Sequence, residues 1–219
     1  VVTGANQIDA NSLAANTTPV TTTIAGTGVV PTFALDVAQI GGMYAGKIHL
    51  IGTEQGLGVR SAGTIGSTGG DLVLQNNGWL TTTGTLRANG NVSISTAENL
   101  DNSNTGVIAA TGNVALNIAT DVSNLGLISA SNTLNVSSAN INNSVTGELS
   151  GTTTQLSATQ TLTNRGLING IETQLNATTL NNIGTGGIFG DHVSIKADTL
   201  LNDTETVGGV TKAGTIAAR

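Results

Sequence analysis

Residues 100–110 read Leu100-Asp101-Asn102-Ser103-Asn104-Thr105-Gly106-Val107-Ile108-Ala109-Ala110, and residues 121–130 read Asp121-Val122-Ser123-Asn124-Leu125-Gly126-Leu127-Ile128-Ser129-Ala130. Between them lies Val114-Ala115-Leu116-Asn117-Ile118. The outer pair says one thing twice: an aliphatic residue, a spacer and an asparagine, then a glycine, a spacer and another aliphatic. The asparagine half returns as Ile141-Asn142-Asn143, Leu162-Thr163-Asn164, Leu180-Asn181-Asn182 and Leu200-Leu201-Asn202. The glycine half returns as Gly147-Glu148-Leu149, Gly166-Leu167-Ile168 and Gly187-Ile188-Phe189, and upstream as Gly63-Thr64-Ile65 and Gly84-Thr85-Leu86. The period is roughly 19–22 residues, the signature of a stacked-coil solenoid.

One period resolves into three short strands: Gly106 to Ala110, Val114 to Ile118, and Asp121 to Asn124. Side chains alternate across a strand, so Ile108, Ala110, Val114, Leu116, Ile118 and Val122 share one side of the backbone. Val92 with Ile94, Leu134 with Val136, and Val193 with Ile195 fill the middle strand of other coils. The expected fold is all-β: a parallel β-helix with three short strands per coil and about 20 residues per coil. Roughly ten coils at about 4.8 Å each predict a rod on the order of 50 Å long.

The recurring asparagines, Asn102, Asn124, Asn143, Asn164, Asn182 and Asn202, fall where the third strand ends and the chain turns. Asparagine tolerates the left-handed conformation of such corners. Stacked at one corner of successive coils, the six also suit a hydrogen-bonded amide ladder. Solvated turn residues are the alternative reading. The repeat glycines are Gly63, Gly84, Gly106, Gly126, Gly147, Gly166 and Gly187.

Composition agrees with a thin core. Of 219 residues, 30 are Gly and two Pro, and only 2% are aromatic and 9% charged, so the core must be narrow and aliphatic. The formal net charge is −6, and the seven basic residues (Lys47, Arg60, Arg87, Arg165, Lys196, Lys212 and Arg219) are dispersed. Nucleic-acid binding calls for a basic stripe, which is missing, and no apolar run reaches membrane-spanning length, so neither partner is expected. The absence of cysteine fits a secreted or a cytosolic chain equally.

Motifs of chemistry fail on context. Gly41-Gly42-Met43-Tyr44-Ala45-Gly46-Lys47 mimics a phosphate-binding loop, but Ile48 replaces the metal-binding hydroxyl and a strand pattern follows where a helix is required. Gly56-Leu57-Gly58-Val59-Arg60-Ser61 lacks the third glycine of a dinucleotide fingerprint. His49 and His192 lie about seven coils apart and read as surface residues. A solenoid hydrolase or lyase needs acids at one repeat position in neighbouring coils. Asp101 follows its strand's aliphatic residue and Asp121 precedes it, while Glu148, Glu172, Asp191 and Asp198 occupy other positions, so no stacked acid cluster is expected. Catalytic, metal and cofactor sites are all expected to be absent. Trp79 is read as filling a corner of the core, with a sugar-stacking platform as the alternative.

Residues 1–33 are irregular. Val1-Val2 and Ile8 suit one coil, and the cluster around Thr17-Thr18-Pro19, Thr21-Thr22-Thr23, Gly26, Gly28 and Pro31 suits an extra-helical loop or hairpin. From Ala34 the pattern tightens into ALDVAQIGGMYAGKIHLIGTEQGLGVRSAGTI, ending at Ile65. This stretch resembles the segment following the secretion domain of filamentous haemagglutinin-type exoproteins. VVTGANQIDANSLAA before it resembles the closing coils of that domain, and the beat from Gly63 onward resembles the family's haemagglutinin repeats. The resemblance implies a right-handed coil. It divides the chain into 1–33, closing coils of the secretion domain plus an extra-helical loop, and 34–219, haemagglutinin-type repeats continuing beyond both ends.

It also implies two-partner secretion through an outer-membrane β-barrel transporter and a place on the bacterial surface. The family's Asn-Pro motifs of transporter recognition are not in this chain. The expected role is a structural stalk of a large secreted adhesin, holding distal modules away from the cell and towards a receptor on a host cell or neighbouring bacterium. The alternatives are the stalk of a contact-dependent growth inhibition toxin-delivery protein and a carbohydrate-binding or carbohydrate-active β-helix.

Overall fold

The computed structural model describes residues 1–13, 21–24, 26–29 and 31–219. The chain winds into a parallel β-helix whose coils stack strand on strand. Parallel connections of this kind are right-handed in nearly all proteins. The first strands of the coils form a nine-stranded parallel sheet running from Gly42–Ala45 to Thr215–Ala218. The second and third strands form the other two faces: Val114–Ile118 pairs with Val92–Thr96, and Asp121–Asn124 pairs with Leu100–Asn102. Nine strands make eight steps, about 38 Å at about 4.8 Å each. The rod is shorter than ten coils because residues near both ends leave the helix instead of adding turns.

Inward residues meet in one continuous aliphatic column. Ile65, Leu86, Ile108, Ile128, Leu149, Ile168 and Ile188 are all fully buried, one above another. Leu72, Val92, Val114 and Leu134 do the same on the second face. Each coil contributes few side chains, but every one touches its equivalents above and below. A single apolar stack therefore runs through the whole rod.

The three-strand pattern holds up to Asp121–Asn124. After it, the second and third strands fuse into long bent strands, Thr133–Asn143, Thr153–Asn164, Glu172–Ile183 and His192–Val207. In the first three of these the inward residue at the bend is small: Ser138, Ala158 and Ala177, all buried. Pairing then continues across the corner with a register shift, as between Ser138 and Asn140. In earlier coils Thr96 or Ile118 stands there, with a break before the next strand.

Among the described residues, two antiparallel ribbons leave the rod. Near the start, Asn6–Ile8 pairs with Thr21–Thr23. Ile8, expected in a coil, is thus in the ribbon and exposed, while Val2 keeps its coil position opposite Ile51. Thr17-Thr18-Pro19 lies outside the described residues. Near the other end, Thr204–Val207 pairs with Val210–Ala213 as an arm closed by Gly208 and Gly209, both at positive φ (60° and 78°). A Gly-Gly pair is well suited to that two-residue turn.

Candidate functional site

The most ordered polar feature is internal. Asn102, Asn124, Asn143, Asn164 and Asn182 are fully buried at the ends of the third strands, directly over one another in register. Each Nδ2 donates to the next Oδ1: Asn102 to Asn124 at 2.7 Å, then to Asn143, Asn164 and Asn182 at 2.8 Å per step, and Asn182 to Asn202 at 2.7 Å. The second Nδ2 proton reaches across the corner to a carbonyl of the following coil's first strand. Its acceptors are Leu127 (3.3 Å), Glu148 (3.1 Å), Leu167 (3.1 Å), Gly187 (3.2 Å) and Thr215 (3.1 Å). These five carbonyls belong to one register column. The amides therefore tie neighbouring coils together and also tie the third-strand face to the first-strand face.

All six asparagines belong to extended strands, so the left-handed corner expected for them is not their conformation. Their shared place is explained by inward burial, where a primary amide supplies one acceptor and two donors in line. Below Asn102 the column continues as Thr82 and Ser61. Thr82 Oγ1 donates to the Ser61 carbonyl at 3.2 Å, and Asn102 Oδ1 is a buried acceptor with no partner among the described residues. The ladder has one direction and begins at Asn102.

A glycine column stands beside it. A Cβ on Gly84 would lie 2.0 Å from the Gly63 carbonyl oxygen, and one on Gly126 would lie 2.2 Å from that of Gly106. On Gly106 and Gly147 it would lie 2.1 Å and 2.3 Å from the amide oxygens of Asn102 and Asn143. Close approach of backbone and ladder, not handedness, demands glycine here. Register corrects one member: Leu167 pairs with Gly187, so the residue in line with Gly166 is Gly186. A Cβ on Gly186 would meet the Asn164 carbonyl and Asn182 Oδ1, both at 2.4 Å, whereas on Gly187 the nearest atoms all belong to the movable Phe189 ring. The same register adds Gly41 and Gly214 to the column.

The outer faces hold the titratable groups. Asp101 is opposite Ser123, and Asp121 is opposite Asn140, which donates to it at 2.8 Å. The two acids are not stacked. They are near enough that partial burial first, and the Asp121 charge second, hold the Asp101 carboxyl above its usual range. Glu148 accepts from Ser150 Oγ at 2.8 Å, and Glu172 pairs with His192 Nδ1 at 2.9 Å. His49 lies seven steps below on the same face, its pKa lowered by burial and then by Lys47. Among the described residues no three acids, histidines or cysteines converge.

Trp79 is not in the core. It is half-buried on the outer side of the third-strand face, its indole laid over Gly58, where a Cβ would come within 2.0 Å of the ring. It meets Phe33 edge-to-face with centroids 5.6 Å apart, and Arg60 covers the Phe33 ring at 4.5 Å while pairing with Asp36. Leu80, the next residue, takes the inward position, so alternation directs Trp79 outward. Gly41–Lys47, the phosphate-loop mimic, is built around the strand Gly42–Ala45, and Ile48 opens the next one.

The profile of the haemagglutinin repeat matches residues 1–66, 67–104 and 109–166. The "tRNA nuclease CdiA-2" of Burkholderia pseudomallei strain 1026b is 49% identical over 88 residues, 40% of this chain and 3% of the relative. The "Toxin CdiA" of Yersinia pestis is 42% identical over 103 residues, 47% of this chain and 3% of the relative. The "Toxin CdiA" of Escherichia coli is 37% identical over 95 residues, 43% of this chain and 3% of the relative. This chain thus spans a few per cent of the length of these relatives. No solved structure matches it.

Proposed function

We propose a function from the premise that this chain belongs to the haemagglutinin repeat family: it is a stalk segment of a large secreted surface exoprotein. The observation that carries the reading is the unbroken pairing of coils, with the aliphatic column, the amide ladder and the glycine column all running along the rod. Such a stack resists bending because every coil is hydrogen-bonded over its length to the next. In this reading the segment works by shape and not by chemistry. The nuclease and toxin names belong to relatives of which this chain matches a few per cent. Family membership supports export through an outer-membrane transporter, a place at the cell surface, and a receptor on another cell engaged by distal modules.

A second reading, the stalk of a growth-inhibition toxin, is favoured by the names of the relatives. Co-culture separates the two. The parent strain competes against unprotected siblings beside a strain lacking the last few hundred codons of the full gene. Competition that depends on that tail assigns the stalk to toxin delivery. Unchanged competition, with attachment to host cells abolished when the exoprotein is deleted, assigns it to an adhesin. Stalk function itself fails if deleting whole coils, in frame and with the ladder register kept, leaves both activities unchanged.

A further inference from the structure

Three of the exposed aliphatic side chains of this rod gather at one corner. The arm formed by Thr204–Val207 and Val210–Ala213 folds back along the rod and is fastened to the corner two coils earlier. Arg165 Nε and Nη2 each donate to Glu205 at 2.9 Å, and Nε also reaches the second oxygen at 3.1 Å. The seat is shaped for it: Gly184 has φ +63°, and a Cβ there would stand 2.8 Å from Glu205 Oε2. Beyond this fastening the arm and the corner enclose a notch of about 330 Å³ lined by Val145, Gly184, Thr185, Val207, Val210 and Lys212. Val145, Val207 and Val210 are 61%, 69% and 58% exposed, three aliphatic side chains left in water side by side. Clusters of this kind mark interaction sites.

The arm also carries an unused hydrogen-bonding edge. Antiparallel pairs alternate between those that exchange both backbone bonds and those that exchange none. Gly214 N donates to Asp203 O at 3.0 Å, which makes Asp203 with Gly214 an exchanging pair. By alternation Glu205 with Lys212 and Val207 with Val210 also exchange. Thr211 and Ala213 on one edge, and Thr204 and Thr206 on the other, therefore turn their N–H and C=O groups outward. Thr204 N is taken by Asp203 Oδ1 at 2.7 Å, and the Thr211–Ala213 strand pairs with no second strand among the described residues. Lys212 makes no ion pair among the described residues, because Glu205 opposite it is engaged by Arg165.

We propose that this arm and corner form a docking site for an extended peptide strand of a partner protein. The strand adds to the free Thr211–Ala213 edge, with two apolar side chains on its notch-facing side and a carboxylate placed at Lys212. Backbone pairing supplies affinity in this mode, and alternate side chains supply selectivity. The rod thereby carries a lateral docking site independent of whatever it displays at its tip.

The test uses the 219-residue chain and a fluorescein-labelled pentapeptide, Val-Thr-Val-Thr-Glu, whose alternate residues present two valines and a glutamate on one side. The expected result is saturable binding with slowed amide exchange at Thr211 and Ala213. Thr211→Pro removes one outward N–H, a change an edge strand tolerates, and is expected to weaken binding at least tenfold. Thr206→Pro, on the opposite edge, is expected to leave binding unchanged. Lys212→Gln is expected to weaken it several-fold and flatten its salt dependence. If Thr211→Pro frays the arm, shown by reduced protection at Val207 and Val210, Ala213→Pro replaces it. No saturable binding up to about 1 mM, which corresponds to about −4 kcal/mol, overturns the proposal. So does equal binding by the proline variants of the free edge, or protection that appears at the open coil edge Thr215–Ala218 instead of the arm.

Discussion

Replacing Asn143 with alanine tests the internal ladder at its centre. In the folded chain Asn143 Oδ1 accepts from Asn124, and its Nδ2 donates to Asn164 Oδ1 at 2.8 Å, to the Leu167 carbonyl at 3.1 Å and to the Gly147 carbonyl at 3.2 Å. Alanine removes all four and leaves two neighbouring amides short of a partner in a site with no solvent access. Asn124 Nδ2 keeps its bond to the Glu148 carbonyl, but Asn164 Oδ1 is stripped of the Asn143 donor that satisfies it. At about 1–3 kcal/mol for each orphaned buried group, with some relaxation, the loss is about 3–5 kcal/mol. Urea unfolding followed by far-UV circular dichroism reads it, provided the m-value is unchanged. Asn142→Ala is the matched control: its side chain is exposed on the outer face, and such a change is worth about 0.5 kcal/mol or less. Asn143→Asp keeps the shape but sets acceptor against acceptor at Asn164 and Leu167, and is expected to cost more than alanine. If Asn143→Ala costs no more than Asn142→Ala, the ladder is not a source of cohesion and the reasoning fails.

Gly186→Ala is expected to cost about 2–3 kcal/mol, as overpacking against fixed backbone does, and Gly187→Ala clearly less, because the atoms nearest its new methyl belong to the movable Phe189 ring; thermal unfolding of the two variants decides the register. Trp79→Ala is expected to loosen the strand Phe33–Val37 and speed amide exchange there while the coils beyond Leu100 stay protected, because the indole bridges Gly58 and Phe33. Asp101→Asn is expected to stabilise the chain at neutral pH. The folded carboxyl is held above its ordinary pKa by partial burial and then by Asp121, so its ionised form opposes folding and the variant's advantage fades as pH falls through the carboxylate range. The arm's fastening has the opposite sign. Hydrogen bonds from Arg165 hold Glu205 below its ordinary pKa, so the pair is fully formed above the usual glutamate range and comes apart as pH falls through the folded value. Protection of the Val207 and Val210 amides, whose N–H groups are bonded across the arm, followed against pH checks this.

The architecture is legible in the sequence because it is written in periodic terms. Alternation places Ile108, Val114, Leu116, Ile118 and Val122 inside, and all are buried. The asparagine positions stand out by recurrence, yet recurrence alone does not separate a buried amide from a solvated turn; only the register and the burial of both faces do. Gly187 misleads because two glycines, Gly186 and Gly187, adjoin, and a one-residue choice needs the pairing partner Leu167 to resolve. Size points Trp79 to the core, although its neighbour Leu80 already holds the inward phase; the alternation is the better guide. The arm is hidden for a different reason. The groups it brings together, Glu205 with Arg165 and Val207 beside Val145, lie 40 and more residues apart and follow no repeat.

That division has a physical origin with consequences for function. A coil must satisfy only a few fixed demands: aliphatic residues at inward phases, an amide or hydroxyl at the ladder, and no Cβ where the backbone of the coil below passes. Outward positions answer to none of these, which is why Asp101, Ser123 and Asn142 succeed one another in a single outer column. The rod keeps its form while its surface varies freely. Binding features on such a chain therefore arise as departures from the repeat, and one near its end is an arm fastened by one ion pair, its exposed Val207 and Val210 set beside the exposed Val145 of the rod. A second test follows from this view. Deleting residues 204–213 and joining Asp203 to Gly214, whose backbone atoms already bond at 3.0 Å, is expected to leave the coil stack intact. Unfolding midpoint and circular dichroism of the shortened chain should match the parent, while binding of the pentapeptide disappears. A collapse of stability would mean that the arm belongs to the stack and is not an addition to it.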